Sequence, residues 1–168
     1  HHGKLIRQMW DLGIRDKKLL CIIKQMLKAP IVLPDGKRVY PTKGTPQGGI
    51  LSPLLSNIVL NELDWWVSSQ WENMPTHYEY KTRQNARGTD IKSHTYRALR
   101  RSNLKEMYLV RYADDFKIFC RSYKDAMKAF EATKRWLKDR LGLDISPEKS
   151  KVINMEQRYS EFLGFKMK

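Results

Sequence analysis

Two adjacent aspartates, Asp114 and Asp115, interrupt a stretch that is otherwise typical of β-structure, YLVRYADDFKIFC at 108–120. Apolar and polar residues alternate on both sides of the pair, so the pattern predicts two antiparallel strands with Ala113 to Asp115 at the tip of a tight hairpin. Neighbouring like charges repel each other, which favours a site where a cation or several donors face them. Mg²⁺ is commonly held by one or two carboxylates together with substrate phosphates, so the pair indicates a phosphate-containing partner. The alternative is a charged turn without a metal.

The overall charge of the chain indicates the same kind of partner. Its 168 residues include 32 Lys and Arg against 18 Asp and Glu, a formal net charge of +14, which favours nucleic acid and, as the weaker alternative, an anionic membrane surface. No apolar run approaches the roughly 20 residues that a membrane span needs. We therefore predict one main domain in the bacterial cytoplasm, with an organelle as the alternative. Cys21 and Cys120 are predicted to be buried free thiols, because they lack metal-site spacing.

Hydrophobic periodicity predicts helices at the beginning of the chain. Apolar residues recur at helical spacing from Leu5 to Met26, and Gly13 and Asp16 mark a break between two helices. A β-ribbon should follow at 31–40, because an Asp-Gly pair between short β-prone runs is a strong hairpin signal. The pattern therefore predicts an α+β fold.

Two longer helices should flank the aspartate hairpin in the sequence. Ser52 as N-cap predicts a helix over 53–69 with one apolar stripe. A second serine cap predicts a helix over 123–140 that Gly142 should end. We expect the hairpin to pack against both helices. Two later segments are strand-like, KVINM at 151–155 and EFLGFKMK at 161–168.

Residues 73–106 form a basic stretch without sustained periodicity, with eight Lys or Arg and three acids. Interleaved tyrosines suit phosphate contact combined with base stacking. One helix can run through YRALRR at 96–101 and continue through LKE at 104–106. On such a helix, cations at positions i, i+4 and i+8 would share a face. The predicted RNA-binding residues are therefore Arg97, Arg100, Arg101 and Lys105. The alternative is a solvated loop, and composition alone does not decide between the two.

Four blocks, in this order, resemble reverse transcriptases, specifically those encoded by group II introns, the intron maturases. The blocks are GTPQGGILSPLLSNIVLNELD at 44–64, YADD at 112–115, LGLDISPEKSKV at 141–152 and SEFLGFKMK at 160–168. The resemblance implies a polymerase palm-like antiparallel sheet packed on helices. It also divides a single partial domain into connecting helices and ribbon (1–43), nucleotide-site loop and helix (44–72), basic insertion (73–106), and YADD hairpin, palm helix and primer-grip hairpin (107–168).

The same resemblance implies roles for individual residues. Asp114 and Asp115 would be catalytic and bind Mg²⁺, two ions in the complete site, while Lys149 would protonate the leaving pyrophosphate. The nucleotide would be bound by Pro46, Gln47, Gly48, Tyr112 and Ala113. The primer grip would comprise Phe162, Leu163, Gly164 and Phe165. The loop at 44–49 lacks the G-K-[ST] ending of a P-loop.

The implied function is RNA-directed DNA polymerisation, with dNTP, RNA template, DNA primer and intron RNA as partners and no membrane. The family uses a third aspartate that we expect in a segment preceding residue 1, since Asp11 and Asp16 follow no hydrophobic strand. With truncated fingers and no thumb, the chain would be a palm-centred part, inactive alone, with exposed apolar surface that favours self-association. The alternatives are a non-catalytic RNA-binding splicing factor, an RNA-dependent RNA polymerase or a telomerase.

Overall fold

The computed structural model describes residues 1–45 and 48–168. Within these ranges the chain forms five α-helices and eight short strands. The helices are α1 (His2–Asp11), α2 (Lys17–Leu27), α3 (Ser52–Gln70), α4 (Ser93–Arg100) and α5 (Tyr123–Trp136), which continues into a π-helical turn at Leu137–Leu141. The strands are β1 (Ile31–Val32), β2 (Arg38–Val39), β3 (Arg83–Gln84), β4 (Asp90–Ile91), β5 (Met107–Tyr112), β6 (Asp115–Cys120), β7 (Ser160–Phe162) and β8 (Phe165–Met167).

Helix boundaries follow local capping chemistry. Asp16 accepts hydrogen bonds from the backbone N–H groups of Lys18 and Leu19 and so begins α2. Ser122 accepts from the N–H of Asp125 and begins α5, while Gly142 ends the following π-helical turn with a positive φ of 66°. These three predictions are confirmed. The start of α3 was predicted one residue late, because Leu51 lies at the N-cap position and Ser52 is already helical.

The strands pair as four antiparallel hairpins: β1 with β2, β3 with β4, β5 with β6, and β7 with β8. The fold is therefore mixed helix and small antiparallel sheets, as the α+β prediction requires, although the described strands do not merge into one larger sheet. The strand predicted at 151–155 is wrong. There the side chain and carbonyl of Asn154 accept hydrogen bonds from the N–H groups of residues 156–158, which folds the segment into a turn.

Helix α3 joins two hydrophobic clusters. Its first half packs Leu55 and Ile58 against α1 and α2. Its second half packs Leu63 and Val67 against the β5–β6 hairpin and α5. The predicted packing of the hairpin between two helices is thus confirmed, and α3 is the element that fixes the hairpin relative to the N-terminal helices.

Cys21 is exposed, which contradicts the prediction of a buried thiol. The buried residues of α2 are Leu20, Ile23 and Leu27, a stripe at i, i+3 and i+7 that leaves the neighbouring cysteine on another face. Cys120 is about half buried, and burial, followed by the nearby carboxylate of Asp125, raises the pKa of its thiol to about 11.

Candidate active site

The aspartate pair lies at the tip of the β5–β6 hairpin. The strands pair from Met107 with Cys120 to Tyr112 with Asp115, so Ala113 and Asp114 form a two-residue turn. Ala113 has a positive φ of 52°, a conformation that non-glycine residues adopt mainly in tight turns. Asp114 and Asp115 are both exposed. The predicted hairpin is therefore confirmed, and its tip presents two carboxylates to solvent.

The two faces of this hairpin differ in their surroundings. One face packs against the hydrophobic cluster that contains Leu63 and Val67. This face carries Leu109, Phe116 and Ile118. The opposite face carries Val110, 46% exposed, and Tyr112, 65% exposed. A partner that approached the outer face would meet apolar surface beside Asp115, because Tyr112 and Asp115 are a cross-strand pair.

A cluster of polar side chains supports the hairpin from α3. Arg111 donates from Nε and Nη2 to the two carboxylate oxygens of Asp64, at 2.7 and 2.5 Å. Its Nη1 donates to Asn57 Oδ1 at 2.7 Å and to the carbonyl of Ala113 at 2.6 Å. Hydrogen bonding to Asp64 raises the pKa of Arg111. Sequence reasoning missed this role, although a charged residue at a core-facing strand position was a signal for it.

The donor set fits part of a Mg²⁺ site. Two exposed carboxylates at one turn supply hard oxygen ligands, and Mg²⁺ is typically completed by waters and substrate phosphates. Among residues 1–45 and 48–168, no group of three or more His, Cys, Asp or Glu side chains is close enough to hold a metal. The Asp16 side chain accepts two backbone hydrogen bonds as the cap of α2.

The hairpin predicted as primer grip lies beside the aspartate hairpin. β7 and β8 flank a two-residue turn, Leu163 and Gly164, both with positive φ. Lys117 of β6 connects the two hairpins, because its Nζ donates to Ser160 Oγ at 2.6 Å and lies 5.8 Å from the centre of the Phe162 ring. Phe165 is 74% exposed. The structure thus brings 160–167 next to β6, through a contact that sequence reasoning did not predict.

Of the residues predicted to bind nucleotide from the loop, Pro46 and Gln47 lie outside the described residues. Gly48 is exposed with a φ of 75°. The adjoining loop is tied to α1, where the His2 ring nitrogen Nε2 and the carbonyl oxygen of Gly44 are 2.8 Å apart. Lys149 lies exposed in a turn, and in the described part of the chain no hydrogen bond or ion pair connects it to the aspartates.

The basic insertion contains the β3–β4 hairpin and α4, but the predicted row of cations is wrong. Helix α4 ends at Arg100, so Arg101 and Lys105 do not continue one helical face with Arg97. The hydroxyl of Ser102 bonds the carbonyl of Leu99 at 2.5 Å and accepts from the N–H of Leu104 at 3.2 Å, which replaces helical hydrogen bonds with a turn.

The four predicted cations also differ in availability. Arg100 forms a bidentate pair with Glu106, in which Nη2 donates to Oε1 at 3.0 Å and Nε donates to Oε2 at 3.3 Å, and this hydrogen bonding raises the pKa of Arg100. Lys105 Nζ lies 3.9 Å from Asp125. Arg97 and Arg101 are exposed and form no ion pair with the described residues. These two are therefore the better placed for an external phosphate.

Comparison with known proteins agrees with this geometry. The model of the reverse transcriptase (RNA-dependent DNA polymerase) family matches residues 1–167. Over 99% of its length, the chain is 29% identical to the Putative COX1/OXI3 intron 2 protein of Saccharomyces cerevisiae, and the match covers 22% of that protein. Over 92% of its length, it is 32% identical to the Group II intron-encoded protein LtrA of Lactococcus lactis subsp. cremoris, and the match covers 30% of that protein. Over 99% of its length, it is also 27% identical to Protein YkfC of Escherichia coli, and the match covers 43% of that protein.

Two further facts bear on identity. The chain spans between about a fifth and a third of the length of the intron-encoded relatives named above. No helix in the described ranges is long and apolar enough to cross a membrane. Because the family model matches all but the last residue of a sequence that carries the YADD hairpin, this chain belongs to the reverse transcriptase (RNA-dependent DNA polymerase) family.

Proposed function

We propose that the protein containing this chain is the RNA-directed DNA polymerase of a group II intron and also binds the intron RNA as a splicing maturase. The observation that carries the proposal is the pair of exposed carboxylates at a two-residue turn that is tied to the core through Arg111. A turn required only for chain reversal has no use for two adjacent like charges. The similarity to LtrA, which is named as group II intron-encoded, supports the intron assignment.

In the proposed reaction, the 3′-hydroxyl oxygen of the primer bonds to the α-phosphorus of a dNTP while the bond from that phosphorus to the pyrophosphate oxygen breaks. Pyrophosphate leaves, and the hydroxyl proton passes to water. Asp114 and Asp115 would hold Mg²⁺, which when bound stabilises the charge on the attacking and leaving oxygens. Tyr112 and Ala113 would line the nucleotide site from the hairpin, and Lys149 would donate a proton to pyrophosphate. From the loop, Pro46, Gln47 and Gly48 would contact the incoming nucleotide.

The β7–β8 hairpin would support the primer end. The contacts of Lys117 with Ser160 and Phe162 hold this hairpin beside β6. A hairpin held there would be well placed to position the end of the DNA primer near the aspartates. The exposed Phe165 ring supplies an apolar surface for a sugar or base.

The basic insertion would contact RNA phosphates, chiefly through Arg97 and Arg101. Tyr78 and Tyr80 lie within this insertion, with ring centres 5.1 Å apart, and the Tyr80 ring stacks on His94 at 6.2 Å. Tyr78 is 67% exposed. Exposed aromatic rings and guanidinium groups in one insertion suit binding of phosphates together with unpaired bases.

The apolar outer face of the β5–β6 hairpin would also allow the chain to self-associate. Val110 and Tyr112 on this face are both exposed by more than two fifths, as is Phe165 on the neighbouring β7–β8 hairpin, and large exposed apolar patches mark interaction surfaces. Light scattering on the 168-residue chain should therefore show a mass that rises with concentration. A constant monomer mass would contradict this part of the proposal.

The test of the function is primer extension by the complete gene product. Asp114→Asn and Asp115→Asn should each abolish extension and leave affinity for the RNA template unchanged, because the carboxylates hold the metal and do not bind the template. Asp35→Asn is the matched control, since Asp35 lies in the exposed β1–β2 turn and loses the same charge.

The same experiment separates the alternatives. A non-catalytic splicing factor would bind intron RNA and show no extension even without substitutions. An RNA-dependent RNA polymerase would extend with ribonucleotides rather than deoxynucleotides. Extension that survives in the Asp115→Asn protein would exclude the proposed role of the aspartate turn.

A further inference from the structure

Arg111 occupies an unusual position for a charged residue. It lies on the face of β5 that otherwise packs apolar side chains against the core, and its side chain is only 11% exposed. Burying a guanidinium is costly unless its donors are satisfied by well-placed acceptors. Asp64, Asn57 and the Ala113 carbonyl supply these acceptors. The arrangement therefore joins helix α3 to the backbone of the aspartate turn.

From this geometry we propose that Arg111 is a positioning residue that sets the conformation of the aspartate turn for metal binding. The inference rests on the proposed function, in which Asp114 and Asp115 hold Mg²⁺. It concerns neither of these ligands but the residue that orients their backbone. Asp64 has the supporting role of orienting the guanidinium.

The direction of the guanidinium is set by its pair with Asp64. The paired bonds from Nε and Nη2 fix the plane of the group, since a planar fork matches a carboxylate in one orientation. Nη1 lies in the same plane and is thereby directed to the Ala113 carbonyl, 2.6 Å away. The position of this carbonyl is thus linked to α3, a helix anchored in two hydrophobic clusters.

The Ala113 carbonyl, in its own right, affects the conformation of the aspartate turn. The Ala113 carbonyl belongs to the peptide group that leads into Asp114, so its orientation determines where that residue and the next direct their side chains. Ala113 adopts a positive φ, a left-handed conformation that is unfavourable for an L-residue. The bond from Nη1 to the Ala113 carbonyl restrains this turn from outside.

A structural role alone makes a different prediction. If Arg111 merely stabilised packing of α3 on β5, any cation that kept the ion pair with Asp64 would suffice. Lysine can keep that ion pair as a point charge, but its single ammonium cannot form the planar fork to Asp64 and reach the Ala113 carbonyl in the same plane. Arg111→Lys therefore separates positioning from simple ion pairing.

The experiment uses Mn²⁺ as a paramagnetic probe on the isotope-labelled 168-residue chain. Mn²⁺ should broaden the backbone amide signals of residues 113–116 in the unsubstituted protein. In Arg111→Lys, the Mn²⁺ concentration at half-broadening should rise about ten-fold, the equivalent of removing one charge-assisted hydrogen bond. Asp64→Asn should raise it in the same direction, which provides a second variant if the first does not fold.

Glu62→Gln is the matched control. Glu62 lies on the same helix and makes a comparable set of ion pairs, with Lys4 at 3.1 Å and Arg140 at 3.2 Å, away from the hairpin. This variant should lower the thermal midpoint of unfolding and leave the Mn²⁺ midpoint within about two-fold, as expected of a change remote from the turn. In the complete gene product, Arg111→Lys should lower kcat for primer extension with the KM for dNTP unchanged.

The outcomes distinguish the two hypotheses. If Asp115→Asn raises the Mn²⁺ midpoint but Arg111→Lys and Asp64→Asn do not, the positioning role is wrong and the metal role of the turn stands. A Glu62→Gln shift as large as that of Arg111→Lys would likewise overturn the positioning role. If Mn²⁺ does not broaden residues 113–116 in the unsubstituted chain, the proposed function loses its metal site.

Discussion

Helix α3 offers a test of the claim that burial, and not the local sequence, sets the stability of the site's support. Leu54 and Leu55 are neighbours on this helix, but Leu55 is 1% exposed and Leu54 is 55% exposed. Replacing either with alanine makes the same chemical change with the same effect on helix propensity. The two variants therefore differ in tertiary contacts alone.

The expected magnitudes follow from these exposures. Leu→Ala removes about three carbons, or about 2.4 kcal/mol at 0.8 kcal/mol per buried CH₂. A residual cavity raises the cost for Leu55→Ala to about 3 kcal/mol, in the lower part of the range for buried leucines. Leu54→Ala leaves no cavity and loses less than half of the transfer term, about 1 kcal/mol.

Urea unfolding followed by far-ultraviolet circular dichroism measures both values. In a chain of this size, about 3 kcal/mol corresponds to a fall of about 6–12 °C in Tm. Because α3 carries both hydrophobic clusters, Leu55→Ala should shift one cooperative transition. Equal losses in the two variants would refute the reasoning from burial, and a second transition in Leu55→Ala would refute the coupling of the clusters by α3.

Three further predictions concern the site and its surroundings. Gln47→Ala should raise the KM for dNTP in primer extension by the complete protein, and an unchanged KM would remove this residue from the nucleotide site. Cys120 should alkylate at pH 8 about 100-fold more slowly in the folded than in the urea-unfolded chain as judged by peptide mass spectrometry, because a pKa raised from 9.0 to about 11 lowers the thiolate fraction by that factor; similar rates in the two states would show that β6 is open to solvent. Replacing the four predicted RNA-binding cations by alanine should lower the slope of log affinity against log salt by about 0.7–0.9 for each phosphate that is no longer neutralised. Replacing Arg97 and Arg101 alone should reproduce most of this change. Unchanged affinity and slope in the four-fold variant would show that the insertion is a solvated loop. The complete set is Arg97, Arg100, Arg101 and Lys105.

The aspartate hairpin and the starts of α2 and α5 were predictable from sequence because their causes are local. Strand alternation on both sides of Ala113 to Asp115 leaves one place for a tight turn. Asp16 and Ser122 cap helices through bonds that span two or three residues. The YADD, loop and primer-grip blocks also carried the family resemblance, which the match over residues 1–167 confirms.

Local reasoning failed where tertiary packing competes with propensity. The sequence after Arg100 is compatible with helix, yet Ser102 bonds the backbone and Leu104 packs against the core cluster, so the helix stops. Residues 151–155 have strand-like composition, but a strand also requires a partner, and the turn at Asn154 satisfies the backbone instead. Cys21 is apolar and helical, and its exposure depends on which face of α2 meets α1 and α3.

The two carboxylates and their place at a hairpin tip were determined by the sequence alone, because both depend on residues within a few positions of one another. The family was also readable from the sequence, because its four motif blocks follow one another in order along the chain. The support of that tip was decided by tertiary structure. Arg111 and Asp64 are 47 positions apart, and no periodicity connects a strand residue with a particular acid on a distant helix. Their pairing exists because α3 packs across β5, which places the carboxylate and the Ala113 carbonyl within reach of a single guanidinium.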